Sequence, residues 1–176
     1  GKHNWVHLAS ERVLDDVEHL VKRYGLKSIW FYDATLTVNK AFILEIANGL
    51  IKRNLKITWR CFGRIAELEK YSYKDFEILA NSGLDQIFVG IESIHKDCQK
   101  ILRKRLSPET VTKVVSNIKP FPIGLNLAFL FAAPNMPIDH LEEDKRYSMR
   151  WKKINDNVDF QTTFYIPFPG SQLAQA

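Results

Sequence analysis

Apolar residues recur along this chain in two alternating rhythms. Val13, Leu14, Val17, Leu20, Val21 and Tyr24 fall at helical intervals, with Asp15, Asp16, Glu18 and Lys22 on the other faces. That spacing predicts an amphipathic helix, opened by Ser10 as N-cap and stopped by Gly25, a residue free to take positive φ. A denser apolar run rich in Ile, Trp, Phe and Tyr follows over residues 26–32 and predicts a short strand ending at Asp33. The two rhythms then return. Asn39 opens a helical stripe of Phe42, Ile43, Ile46, Leu50 and Ile51, Asn54 takes the stop position, and residues 55–61 read as a second strand. A third helix over residues 72–80, with Phe76, Ile78 and Leu79 as its apolar contacts, closes at Gly83. Residues 84–93 then read as a buried strand that ends in a carboxylate, Glu92.

Gly25-Leu26-Lys27, Asn54-Leu55-Lys56 and Gly83-Leu84-Asp85 stand 29 residues apart. A helix, a stop residue and a strand repeated at that length make a βα unit, because a parallel crossover needs that much chain. The later units are longer. Residues 97–102 predict a short helix, and Ser107-Pro108-Glu109 starts another with Val111, Val114, Val115 and Ile118 as its stripe. Residues 125–132 read as a fourth strand, Asp139 or His140 opens a helix to Ile154, and residues 158–166 read as a fifth strand. The fold class expected is α/β, a wound parallel sheet or barrel in a single domain over residues 1–176.

Composition changes this picture little. A chain of 176 residues suits one domain with a sizeable core, and 45% apolar with 26% charged residues is ordinary for a globular protein. The net charge of +5 comes from Lys and Arg scattered along the chain, which leaves RNA a candidate partner. Residues 123–134, the longest apolar stretch, reach about half the length of a bilayer span and contain Asn126. With no signal peptide at the start, no membrane span and a cytoplasmic location are expected. Cys61 and Cys98 lie 37 residues apart, a spacing that suits neither a disulfide framework nor a local metal site. Buried free thiols are expected.

In parallel α/β folds ligands gather at the carboxyl ends of the strands. The polar residues expected there are Asp33, Arg60 or Arg64, Glu92 with Ser93, Asn126 and Tyr165. An Arg can fork onto a carboxylate and a Glu can accept from an amine or a ribose, so the set suits a zwitterionic or hydroxyl-rich small molecule. Other enzyme readings fail on particular residues. Asp33-Ala34-Thr35-Leu36-Thr37 looks like the end of the haloacid-dehalogenase phosphatase motif, yet Phe31 stands where that family places its nucleophilic aspartate. No Gly-rich phosphate loop follows a strand, and His3, His7, His19, His95 and His140 form no close ligand pair.

Taken in order, the motifs resemble those of the radical SAM enzymes, in particular the subgroup that often carries a cobalamin-binding domain upstream. The residues that carry the resemblance are Trp5, residues 13–17, Asp33 with Leu36-Thr37-Val38-Asn39, and Trp59-Arg60-Cys61 with Arg64. Val-Gly-Ile-Glu-Ser at residues 89–93, Lys104, and Tyr-Ile-Pro-Phe-Pro-Gly-Ser at residues 165–171 complete the series. The resemblance implies a partial (β/α)6 TIM-like barrel, here about five βα units, with the site at its open top. It implies S-adenosylmethionine and a 4Fe-4S cluster as cofactors, the cluster cleaving S-adenosylmethionine reductively to start radical chemistry of an oxidoreductase or methyltransferase type; cobalamin is a further candidate cofactor. Carried over, Asp33 would lie near the methionine amino group and Glu92, with Ser93, near the ribose or substrate. Arg64 and Lys104 are candidates for the methionine carboxylate.

The departures are equally specific. No C-x3-C-x2-C loop is present, and Fe–S ligation needs several converging thiolates. Ala34 replaces a second Asp, Ile94 replaces the usual Gly after Glu-Ser, and Ala132-Ala133-Pro134 replaces a Gly-x-Pro loop. These features lead to the expectation of an N-terminally truncated domain, inactive as it stands, whose first visible strand exposes an edge and drives homo-oligomerisation. The alternative is a cluster-free α/β module that binds a small molecule or a partner.

Overall fold

The computed structural model describes residues 7–166 and Pro169. Five strands form one parallel sheet in the order β1 (Ser28–Phe31), β2 (Thr58–Gly63), β3 (Leu84–Glu92), β4 (Gly124–Phe131) and β5 (Val158–Phe164). Helices α1 (Ser10–Tyr24), α2 (Lys40–Lys52), α3 (Ile65–Leu68), α4 (Tyr73–Asn81), α5 (Lys96–Ile101), α6 (Pro108–Ile118) and α7 (His140–Ile154) occupy the connections. The βα repeat and the α/β class expected from the pattern are therefore present, with the strands stacked in chain order.

Each strand alternates between two unlike faces. Trp59, Cys61, Ile87, Val89, Ile91, Leu125, Leu127 and Val158 are buried and join the helix stripes Ile43, Ile46, Leu50, Phe76, Leu79, Val111, Val114 and Val115 in one core. Their neighbours Trp30, Phe62, Phe88, Asn126 and Gln161 project from the opposite face. That face is concave. The Trp30 ring stacks on Phe88 with centroids 4.8 Å apart although β2 lies between their strands. Two strand spacings in a flat sheet would separate them by roughly 9–10 Å. The third strand is thus buried on its helix side only, and Gly90 is exposed on the other.

Local chemistry explains the element ends. Asn39 accepts from the Phe42 N–H at 3.1 Å, Ser72 and Asp75 form a reciprocal capping box, and Ser107 accepts from Thr110 N–H with Pro108 in the first turn. Gly25 and Gly83 take positive φ, as does Asn54 at 52°. At Gly83 a Cβ would lie 2.1 Å from the Ile57 carbonyl oxygen, so no other residue fits without backbone movement. Ser10 departs from expectation: the helix begins at Ser10 itself, after Ala9, with no side-chain cap. The second strand also starts later than residue 55, because Leu55 N–H still bonds to Leu50 O in the helix's closing turn.

Both cysteines are free and buried, as expected. No helix among the described residues is long and apolar enough to cross a membrane. Trp5 and most of the 165–171 stretch lie outside the described residues.

Candidate functional site

The end of β3 is where the backbone departs from regular structure. Its pairing with β4 shifts register between Gly90, opposite Ala128, and Glu92, opposite Phe129. Glu92 takes φ 65°, a left-handed conformation that costs a residue with a Cβ about 1–2 kcal/mol. Such an outlier persists only where its surroundings hold it.

A buried network does so. The Ile94 N–H donates to Asp144 Oδ1 at 2.6 Å, and Ser93 Oγ donates to the same oxygen at 3.1 Å. Ser93 Oγ in turn accepts from the His95 N–H at 3.1 Å. The Gln99 amide donates to the Ser93 carbonyl, while its oxygen accepts from Leu106 N–H at 3.0 Å. Burial pushes the Asp144 carboxyl above its ordinary value, against the lowering effect of the Ile94 and Ser93 donors.

Above this base Lys104 reaches back over the strand. Its Nζ donates to the Gly90 carbonyl at 3.0 Å and to Glu92 Oε1 at 2.9 Å. The approach depends on Gly90, where a Cβ would stand 2.5 Å from Glu92 Oε1 and 3.5 Å from Lys104 Nζ. The second Glu92 oxygen has no protein donor among the described residues and can accept from a ligand hydroxyl or ammonium.

The neighbouring strands bring further groups to the same rim. Arg64 follows β2 directly, its backbone N–H donating to Thr37 Oγ1 at 3.0 Å, and Tyr71 OH donates to the Thr37 carbonyl at 3.2 Å. Thr37 thereby ties the connection after β1 to the start of α3. The Arg64 guanidinium is exposed with no ion pair among the described residues. Asp33, two residues past β1, is likewise exposed and unpaired, and borders a cavity of about 130 Å³ with Leu36 and Phe42. Tyr165 follows β5, and its hydroxyl is buried without a partner among the described residues. Asn126 sits on the concave face of β4, its Oδ1 equally unpartnered.

Two expectations change. Arg60 is the third residue of β2, near the strand's start, and it forks onto Asp85 at 3.1 and 3.2 Å, so it does not belong to the rim. Ser93 is fully buried and its hydroxyl is engaged by Asp144 and His95, beneath the rim rather than on it. Ile94, which replaces the Gly usual in the family the chain resembles, is buried and feeds the same network.

Sequence reasoning missed three parts of the site. Asp144 and Gln99 look like ordinary helix residues in the pattern. The aromatic floor of Trp30, Tyr32, Phe62 and Phe88, with centroids 4.8–5.8 Å apart, was readable from strand alternation alone. Trp30 remains 39% and Tyr32 74% exposed, so their faces are open to a planar ligand.

The residues present do not fit an iron–sulfur cluster. Cys61 lies on the helix side of β2 and Cys98 inside α5, and burial pushes both thiols above their ordinary value, away from the thiolate a cluster needs. No group of three His, Cys, Asp or Glu that could hold a metal occurs among the described residues. The donor set does fit an amino-acid-bearing nucleoside: a carboxylate and cations for its zwitterion, a second carboxylate for its hydroxyls, and aromatic faces for its base.

A family model described as the radical SAM superfamily matches residues 2–148. An uncharacterized methyltransferase of Pyrococcus horikoshii is 25% identical over 169 residues, which cover 96% of this chain and 35% of the relative. Among solved structures, the radical S-adenosylmethionine methyltransferase TsrM of Kitasatospora setae, with cobalamin and a 4Fe-4S cluster bound, superposes over 88% of this chain at TM-score 0.72 and 13% identity. The cobalamin-dependent S-adenosylmethionine radical enzyme OxsB superposes over 82% at TM-score 0.69 and 21% identity. The chain spans 31% and 23% of those two structures.

Proposed function

This chain belongs to the radical SAM superfamily, and we propose that it forms the nucleoside-binding face of a radical SAM barrel. The observation that carries the proposal is the Glu92–Lys104 pair at the strained end of β3, with Asp33 and Arg64 exposed on the adjoining strand ends. In this reading Asp33 accepts from the methionine ammonium, Arg64 and Lys104 bind the methionine carboxylate, and Glu92 accepts from a ribose hydroxyl. Ser93 supports Glu92 from below. A cluster held by other residues would supply the electron for radical chemistry; this chain's part would be to orient the nucleoside and keep its carbon framework against the aromatic floor.

The 4Fe-4S cluster would need thiolates from outside these 176 residues, since Cys61 and Cys98 are the only two here and both are buried. The chain alone is therefore inactive in radical chemistry. Cobalamin is a further cofactor of the proposed enzyme, since structural relatives bind it. A small molecule is the substrate class that fits the concave face, and one relative's structure holds tryptophan. RNA is a weaker candidate partner, argued only from net charge, and the setting proposed is cytoplasmic. The outer edge of β1 has no paired strand among the described residues, which supports self-association through that edge.

Calorimetry with S-adenosylhomocysteine, together with anaerobic iron and sulfide reconstitution, tests the reading. Nucleoside binding without stoichiometric cluster formation is expected. Absence of binding would favour the second reading, a cluster-free binding module, and a stable cluster would overturn the account of the thiols. Sedimentation showing only monomer at high concentration would remove the proposed self-association.

A further inference from the structure

We propose that Asp144 on α7 and Gln99 on α5 are positioning residues for Glu92, holding the turn after β3 in the conformation that keeps the Glu92 carboxylate against Lys104. The inference deepens the nucleoside-binding reading and rests on it.

Asp144 is a carboxylate only 6% exposed, and it has no cation paired with it among the described residues. A buried carboxylate without a counter-ion is costly unless donors satisfy it. Its donors here are the Ile94 N–H and the Ser93 hydroxyl, which both belong to the two residues that follow Glu92. The charge is thus directed at one turn. Gln99, also 6% exposed, bridges the Ser93 carbonyl and the Leu106 N–H, and so ties that turn to the segment that carries Lys104. Together they fix both ends of the Glu92–Lys104 pair from two different helices. Without them, the turn that follows a left-handed Glu92 loses its buried anchors, and relaxation to a negative φ would swing the carboxylate away from Lys104 Nζ.

The test uses the full chain with D144L, D144N, Q99L and E92Q, and two readouts. Amide hydrogen exchange by NMR reports the turn, and calorimetry with S-adenosylhomocysteine reports the rim. D144L and Q99L are expected to speed exchange at Ile94 and His95 by about tenfold or more while Ile87 and Leu127 in the core strands keep their rates. Nucleoside affinity should fall by about tenfold in both, and D144N, which keeps an acceptor oxygen for Ile94, should restore most of it. D144L added to E92Q should cost nothing further, because both act through one carboxylate. Additive losses, or exchange that rises equally throughout the core, would overturn the proposal. Should D144L fail to fold, Q99L decides by the same readouts. Should the unmodified chain bind no nucleoside, the functional reading fails, and exchange at Ile94 still decides whether Asp144 and Gln99 hold the turn.

Discussion

Two ion pairs lie on the concave face at opposite ends of the strands, and they are built differently. Arg60 meets Asp85 near the strand starts through three hydrogen bonds of 3.1, 3.2 and 3.3 Å, at a register shift between β2 and β3 but with neither residue at positive φ. Lys104 meets Glu92 at the strand ends through a single 2.9 Å contact to a carboxylate, with a positive-φ backbone, a register shift and a glycine beneath it. Solvent does not separate them: side-chain exposures are 43% and 30% in the first pair and 36% and 27% in the second. What separates them is where their geometry is decided. The first pair is self-contained, a fork that orients itself. The second is held from outside by Asp144, 50 positions beyond Ile94 in sequence, and by Gln99 on the helix that follows, and it leaves a carboxylate oxygen free. A pair of the first kind contributes modestly to stability, whereas one of the second kind leaves a polar group able to accept a further hydrogen bond, as the proposed nucleoside site requires.

The sharpest way to break this contrast is to remove the two distal acids. D144A leaves the Ile94 N–H and the Ser93 hydroxyl buried without an acceptor and should lower unfolding free energy by about 2–3 kcal/mol. D85A breaks a half-exposed pair and should cost about 1 kcal/mol or less. Urea unfolding midpoints measure both, and equal losses would erase the distinction. Acidity separates them as well. Because the folded protein raises the Asp144 carboxyl above its ordinary 3.8, the fold binds that proton more tightly than the unfolded chain does. The stability this group contributes is fully present below pH 3.8 and is lost as pH rises through the raised value. D144N should remove that part of the pH dependence, and D85N should not.

A smaller effect is expected at the rim itself. E92Q should weaken S-adenosylhomocysteine binding by about tenfold, or 1.4 kcal/mol, while R60Q leaves it unchanged. Calorimetry on the two variants decides, and equal affinities would return Arg60 to the site.

How the two pairs read in the sequence follows the same division. The 29-residue repeat and the helix stripes were legible because period and stop residues are local properties. Glu92 and Asp33 were legible as polar residues closing apolar runs. Arg60 was misplaced because Leu55 and Ile57 read as strand, whereas Asn54 at φ 52° and the Leu55–Leu50 backbone bond keep them in the turn and move the strand to Thr58–Gly63. A shift of three residues carried Arg60 from the end of its strand to the beginning. The support of Glu92 was invisible for a different reason. Asp144 and Gln99 fit ordinary helical patterns, and only folding brings them under Ser93.

The smallest effect concerns backbone strain without a ligand role. Ala132, the residue after β4, takes φ 58°, so the strands β3 and β4 end side by side in left-handed residues that carry a Cβ. Only one of the two has a side chain that the proposed site uses. Glycine reaches this conformation without the steric cost, offset in part by its greater freedom when unfolded. A132G should therefore raise unfolding free energy by about 0.5–1 kcal/mol and leave nucleoside affinity unchanged. E92G relieves the same strain but deletes the carboxylate, so it should raise stability while lowering affinity as far as E92Q does. Thermal midpoints and calorimetry on the two glycine variants make the comparison. If A132G weakens binding as much as E92G does, strain at the strand ends matters to the ligand in its own right, and Glu92 owes its role to its backbone as well as to its carboxylate.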